Sequence, residues 1–285
     1  MSNTLQLDPI TPAVGAVISG VDLREALSGD TVAQIRAAVL KHGAVFFRDQ
    51  DLTQPQTVAF LKPFGRLTVD PYTLGGGADV PEELTVHDME TNNSNATATQ
   101  FWHSDSSHTA APASMLMLRA LELPPEGGGD TCWSNMYLAY DSLSEAVRRM
   151  IDPMEAVHSD WRVFPLLDRA YTAMLNKGLS NAHPVVRVHP ETGRKALFVN
   201  ELWTERLVGV PEDESRDILE MLYAQTRRLE FMMRWRWRKN DVVFWDNCAF
   251  QHYAVRDYTG RRVLQKGYIK GERPFGPASR KLAAE

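Results

Sequence analysis

Phe101-Trp102-His103-Ser104-Asp105 sets an imidazole and a carboxylate two residues apart. In an extended segment that spacing sends both side chains to one face, where they can reach a single point. Two such donors can share a metal ion but hold it loosely. The best-placed third donor is His252, which closes the stretch Trp245-Asp246-Asn247-Cys248-Ala249-Phe250-Gln251-His252. Two imidazoles and one carboxylate on one face of an octahedron leave three coordination positions open. The pair His-x-Asp alone recurs by chance, so its context decides its weight.

That context begins just after His252. Asp257-Tyr258-Thr259-Gly260-Arg261-Arg262-Val263-Leu264-Gln265-Lys266-Gly267-Tyr268-Ile269 reads as a turn, then a strand whose even-numbered side chains share a face. Arg262 and Lys266 then point the same way. If this strand pairs with the one that ends in His252, both cations look into the cavity around the metal. A buried guanidinium needs an anion. Arg261 falls on the opposite face, and a slip of one residue would exchange it with Arg262. A set of two histidines, one carboxylate and open positions is the ligand arrangement of non-haem Fe(II) oxygenases.

At this point the sequence resembles the TauD/TfdA family of Fe(II)- and 2-oxoglutarate-dependent dioxygenases, which includes the taurine and aryloxyalkanoate dioxygenases. The landmarks run almost the whole length: Gly20-Val21-Asp22-Leu23-Arg24, Val45-Phe46-Phe47-Arg48-Asp49-Gln50, Phe64-Gly65, Trp102-His103-Ser104-Asp105-Ser106-Ser107, Gly128-Gly129-Asp130-Thr131, His189-Pro190-Glu191-Thr192-Gly193-Arg194-Lys195, Trp245-Asp246-Asn247, and His252 followed by Arg262. The resemblance implies a double-stranded β-helix, the cupin-like jelly-roll, with flanking helices. It implies Fe(2+) on His103, Asp105 and His252, with 2-oxoglutarate and O2 as cosubstrates. The far carboxylate of 2-oxoglutarate would pair with Arg262 in a bidentate fork and accept a hydrogen bond from Thr131.

The implied reaction is hydroxylation of an aliphatic C–H in a small anionic substrate (a sulfonate, sulfate ester, aryloxyalkanoate or other carboxylate) with release of succinate and CO2. Lys266 stands where alkylsulfonate-type members carry Arg, and Asp70 where they often carry His, so taurine itself is a poor expectation. A lysine still favours an anionic group, as a point charge without a fork. His108, three residues past Asp105, either touches substrate or caps the cavity wall. The resemblance also implies a homodimer or homotetramer, and an insert near 157–182 that walls the cavity. Two other classes stay open on the residues alone: a non-enzymatic cupin-like metal-binding or sensor protein, and an O2-independent metal hydrolase or isomerase on the same scaffold.

Length and composition fit that reading. A chain of 285 residues with 44% hydrophobic content can bury a large core, and no linker divides residues 1–285 into two domains. Periodicity argues only for a β-rich α+β domain. The net charge of -5 disfavours nucleic acid and anionic membranes. No basic-then-apolar leader opens the sequence and no apolar run approaches the ~18 residues of a membrane span, so the expected location is cytoplasmic. Cys132 and Cys248, two in all, suit a reducing compartment and read as small core residues.

Along the chain, Ala13–Ile18 reads as a strand and Asp30 as the cap of a helix that stops at Gly43. Ala44–Phe47 is a buried strand, and Thr53 with Gln56 has capping-box spacing. The polar, Gly-rich connection from 70 to 100 precedes the metal motif as a lid would. His87 within it has no carboxylate at ligand spacing. Ser142 with Glu145 suggests another capping box. His183, His189 and His42 read as structural. Segments 183–190 and 196–199 form a hairpin. The helix over 212–229 buries Ile218, Met221, Leu222 and Leu229. In Arg234-Trp235-Arg236-Trp237-Arg238 strict alternation turns the tryptophans inward and the arginines outward, which outweighs a nucleic-acid reading.

Overall fold

Ala44-Val45-Phe46-Phe47 and Val242-Val243-Phe244-Trp245-Asp246 lack any polar alternation, and both form strands buried on both faces. The computed structural model describes residues 5–69, 86–91, 100–162 and 179–277. Asp70, most of the 70–100 connection and most of the 157–182 insert lie outside the described residues. The strands are β1 (Gln6–Pro9), β2 (Ala16–Ser19), β3 (Ala44–Phe47), β4 (Leu67–Thr68), β5 (Val86–Thr91), β6 (Met115–Glu122), β7 (Thr131–Asn135), β8 (Glu155–Ser159), β9 (Ser180–Pro184), β10 (Val186–Val188), β11 (Lys195–Leu197), β12 (Thr204–Leu207), β13 (Met232–Trp235), β14 (Val242–Asp246), β15 (Phe250–Ala254) and β16 (Arg262–Ile269). The α-helices are α1 (Gly29–His42), α2 (Gln54–Leu61), α3 (Met136–Asp141), α4 (Glu145–Ile151) and α5 (Glu212–Thr226).

Eight strands make the main sheet, in the order β1-β2-β3-β14-β6-β16-β4, with β5 also paired to β16. The pairing of β2 with β3 is parallel, and the rest of this sheet is antiparallel. A second sheet, β13-β7-β15, lies across its face. Aromatic rings join the two: Phe46 of β3 stacks on Trp235 of β13 with centroids 4.1 Å apart and meets the edge of Trp133 of β7 at 5.3 Å. Smaller sheets β12-β8-β9 and β10-β11 complete the β structure. The chain is thus β-rich with helices outside, as its periodicity predicts.

Pairing between β15 and β16 does not occur. β15 pairs with β7, whereas β16 lies between β6 and β5 in the main sheet. All eight residues of β16 are buried, so it needs neighbours on both edges, and the connection after β15 carries the chain across to the facing sheet. Arg262 and Lys266 therefore approach the cavity from the wall opposite His252. Their register is as expected: Arg262 is buried, while Arg261 is exposed and pairs with Glu90 and Glu122.

The helices sit where their caps put them, with small corrections. Ser28, not Asp30, caps α1 by accepting from Thr31 N, and Asp30 lies in the first turn. Gly43 ends α1 at φ 77°, and a Cβ there would meet the Phe250 ring at 2.2 Å, so packing and conformation both require glycine. The Thr53–Gln56 capping box of α2 is formed. Ser144 rather than Ser142 caps α4. α5 ends at Thr226 and buries Leu219, Leu222 and Tyr223, leaving Leu229 81% exposed. Among the described residues, no helix is long and apolar enough to cross a membrane.

Candidate metal and cosubstrate site

The segment that carries His103 is fastened to β15 by its backbone. His103 N donates to His252 O at 3.0 Å and His252 N donates to His103 O at 2.9 Å, a single antiparallel bridge. Its consequence is local: the two imidazoles emerge side by side, ring centroids 4.1 Å apart. His103 Nε2 lies 3.5 Å from Asp105 Oδ1, and His252 Nε2 lies 3.8 Å from Asp105 Oδ2. One donor atom from each of the three fits within 4.8 Å of the others, and all three side chains are buried. The His103 Nδ1–H donates to the Phe101 carbonyl at 2.7 Å, which leaves the Nε2 lone pair facing Asp105.

Asp105 is placed by Asn247. Asn247 Oδ1 accepts from Asp105 N at 2.9 Å, and its Nδ2 donates to Asp105 O at 3.0 Å and Ala113 O at 2.8 Å. Lys266 Nζ stands 2.7 Å from Asp105 Oδ2 as an ion pair. Burial alone would raise the Asp105 pKa, but Lys266, His252 and His103 outweigh it and hold the carboxyl well below the usual range. An ionised carboxylate beside two imidazoles is a donor set that suits a divalent ion such as Fe(II).

A cavity of about 440 Å³ opens beside this group and is lined by His103, Asp105, His252, Thr131, Arg262 and Lys266 together. Arg262 is 3% exposed, donates from Nε to Gly129 O at 3.0 Å and from Nη2 to Thr131 Oγ1 at 3.4 Å, and has no carboxylate partner among the described residues. Burial pulls its pKa down to about 10. Thr131 Oγ1 also accepts from Trp237 Nε1 at 3.0 Å, so both lone pairs are occupied and its own O–H remains to donate. Gly129, at φ 69°, is the one residue type that fits there, because a Cβ would sit 2.9 Å from Arg262 Cδ.

Of the two further residues expected near substrate, one is described. His108 is not among the cavity-lining side chains; it is buried against Trp203, ring centroids 4.0 Å apart. Asp70 lies outside the described residues. The lining also includes residues that the sequence reading did not assign to the site, among them His87, Trp203, Arg256 and Tyr258. For His87 the alternation in β5 was the available signal, because His87, Met89 and Thr91 are more buried than Asp88 and Glu90 between them. A second group of donor atoms, His189, Asp246 and Cys248, is buried beneath the cavity wall. His189 Nδ1 accepts from Glu191 N and Thr192 N and its Nε2 faces Asp246 Oδ2 at 3.2 Å, so both nitrogens already have structural duties.

Residues 6–268 match the model of the taurine catabolism dioxygenase TauD, TfdA family. The chain belongs to the TauD/TfdA family. An alkylsulfatase of Acinetobacter baylyi is 35% identical over 280 residues, covering 94% of this chain and 86% of that protein. An alpha-ketoglutarate-dependent sulfate ester dioxygenase of Pseudomonas putida is 34% identical over 288 residues, covering 96% and 93%. Among solved structures, a taurine dioxygenase from Burkholderia xenovorans superimposes with a TM-score of 0.81 at 35% identity, covering 96% of this chain and 92% of that one. This TauD/TfdA protein is a 2-oxoglutarate-dependent dioxygenase that uses Fe(II), 2-oxoglutarate and O2.

Proposed function

We propose that this dioxygenase binds Fe(II) through His103, Asp105 and His252 and hydroxylates an aliphatic C–H of a small organic anion whose headgroup pairs with Lys266. The observation that carries this reading is the buried guanidinium of Arg262, without a carboxylate partner among the described residues, on one side of the same cavity that holds the three donor atoms. A buried cation without a counter-ion is costly, and the distal carboxylate of 2-oxoglutarate supplies one. Arg262 has free N–H groups for a forked pair, and Thr131 contributes a hydroxyl. Two sheets facing each other across the site favour the double-stranded β-helix as the architecture.

When bound, the ferrous ion and 2-oxoglutarate supply O2 activation coupled to loss of CO2 and formation of succinate. The chain's own residues orient and exclude. Arg262, Thr131 and Gly129 fix the cosubstrate's far end. Leu264 and Met89 give the middle of the wall an apolar surface against which a substrate chain can lie. Lys266 sits four residues along β16 from Arg262, roughly 13 Å by strand geometry, so the two cations serve different anions. Sulfate esters and sulfonates are the leading substrate class, in keeping with the relatives, and other carboxylates come second.

The test is succinate release from 2-oxoglutarate across matched sulfates, sulfonates, aryloxy acids and carboxylates. Wild-type protein should couple succinate release to at least one of these anions. Asp105→Ala should abolish coupled turnover, and full activity in that variant contradicts its role as a ligand. Arg262→Lys keeps the charge but loses the fork. It should raise the KM for 2-oxoglutarate about tenfold or more with a smaller change in substrate KM. A non-enzymatic sensor or an O2-independent hydrolase would release no succinate.

A further inference from the structure

Gly127, Gly128 and Gly129 all take positive φ (84°, 83° and 69°), so the segment ahead of β7 is built from the residue type with the widest backbone freedom. Gly129 and Thr131, which bond to Arg262, hang on this segment. Freedom there would blur the cosubstrate anchor unless something outside the segment fixes it. Two aspartates do so. Asp257, on the connection between β15 and β16, accepts from Gly129 N at 2.9 Å through Oδ1. Asp130 holds the same connection with its backbone, its carbonyl accepting from Val255 N at 2.9 Å. The two segments pack closely, since a Cβ on Gly128 would meet Asp257 O at 2.5 Å.

Arg234 joins the two aspartates. It opens the alternating run Arg234-Trp235-Arg236-Trp237-Arg238 and stands on β13 opposite Cys132 of β7. Its Nε donates to Asp130 Oδ2 at 2.7 Å and its Nη2 to Asp257 Oδ2 at 2.6 Å. One branch of contacts then runs from Arg234 through Asp257 to the Gly129 N–H, and from the Gly129 carbonyl to Arg262 Nε. On the other branch, Asp130 is the residue directly before Thr131. Partial burial of Asp257 favours its neutral form, but the Gly129 N–H and Arg234 outweigh it and keep the carboxyl below its ordinary range. Without the guanidinium, two carboxylates that share one cation would repel each other.

We infer that Arg234 is a positioning residue for 2-oxoglutarate: by clasping Asp130 and Asp257 it holds Gly129 and Thr131 against Arg262 in the arrangement that receives the far carboxylate. This rests on the functional reading above, which puts that carboxylate at Arg262. An ion pair that served the fold alone would add a little stability and nothing else. A clasp on the anchor acts on cosubstrate affinity. It leaves the three proposed metal ligands alone, because they are placed by other contacts, the His103–His252 bridge and Asn247.

The experiment titrates 2-oxoglutarate into the Fe(II)-loaded enzyme under anaerobic conditions and follows the metal-to-2-oxoglutarate charge-transfer band. Mn(II) affinity from electron paramagnetic resonance, and the KM and kcat of succinate release with the preferred anion of the panel above, are measured beside it. Arg234→Met should weaken 2-oxoglutarate about fivefold or more, the scale for losing a charge-assisted network that is partly exposed. Mn(II) affinity and kcat at saturating 2-oxoglutarate should stay within about twofold, as for sites that share no partner, which also shows that the variant is folded. Arg234→Lys, which keeps the charge without the fork, should recover part of the loss. Asp257→Asn keeps an oxygen for Gly129 but drops the ion pair. Its loss should match that of Arg234→Met, and the double variant should lose no more than either alone. Unchanged 2-oxoglutarate affinity in Arg234→Met or Asp257→Asn overturns the inference, as do fully additive losses or an equal fall in Mn(II) affinity, while the functional reading survives. Absence of the band in wild type sinks that reading and the inference together.

Discussion

At the scale of single residues, the carboxylate proposed as a metal ligand, Asp105, is held in place by a neighbour outside the donor set. Asn247 grips the Asp105 backbone on both its N–H and its C=O, and adds a bond to Ala113 O, all at a fully buried position. Asn247→Asp preserves the shape but replaces an N–H donor with an oxygen that faces two carbonyls. Each buried carbonyl left without a donor costs about 1–3 kcal/mol. The expected outcome is a loss of Mn(II) affinity of about tenfold or more, read by electron paramagnetic resonance titration of the metal. Affinity within twofold of wild type would show that Asp105 holds its place without the clamp. The sequence made the donor set legible because His103 and Asp105 are two residues apart, and the resemblance made Arg262 legible. Nothing local revealed what Asn247 does, since its partners lie in a segment far away in the chain.

At the scale of elements, the site's outer support is a layer of neutral histidines between β8, β9 and the segment that follows Asp105. His158 Nδ1 meets Ser107 Oγ at 3.1 Å, His183 Nε2–H donates to Thr109 O at 2.9 Å, and the two rings meet edge to face at 5.4 Å. Burial pushes His183 down to about 4 and His108 to about 3, and His158 well below its ordinary value. The sign follows directly. The unfolded chain takes up protons near pH 6.5 while the folded one does not, so stability is intact above that pH and falls as pH drops. Each such group contributes a slope of about 1.4 kcal/mol per pH unit until its folded pKa is reached. Thermal midpoints should therefore drop between pH 6.5 and 4, and His183→Gln should flatten the dependence. A slope equal to wild type in that variant would remove His183 from the account. Strand faces were legible from period-2 alternation: Trp235 and Trp237 turn inward as expected. Helix ends were less so, because Ser28 and Asp30, or Ser142 and Ser144, offer similar oxygen acceptors two residues apart, and only the path of the chain chooses between them.

At the scale of the whole molecule, the two facing sheets contribute different halves of the site. The small sheet supplies His252 and Thr131, and the main sheet supplies Arg262 and Lys266. This division was not legible, because alternation tells which face a side chain takes but not which strand lies alongside. β15 and β16 are consecutive and still belong to different sheets. Metal and cosubstrate together should therefore tie the sheets to one another and stabilise the fold as a unit. A ligand that binds only the native state at a hundred times its Kd adds about 2.7 kcal/mol. For a chain of 285 residues that corresponds to a rise of roughly 4–5 °C in Tm. Mn(II) with 2-oxoglutarate should produce this shift in a calorimetric scan under nitrogen, and the shift should vanish in Asp105→Ala. Mn(II) alone should give a smaller rise, since the proposed partner of Arg262 on the main sheet is the carboxylate of 2-oxoglutarate. An equal shift in Asp105→Ala would place the ion elsewhere, with the buried His189, Asp246 and Cys248 group the first position to examine.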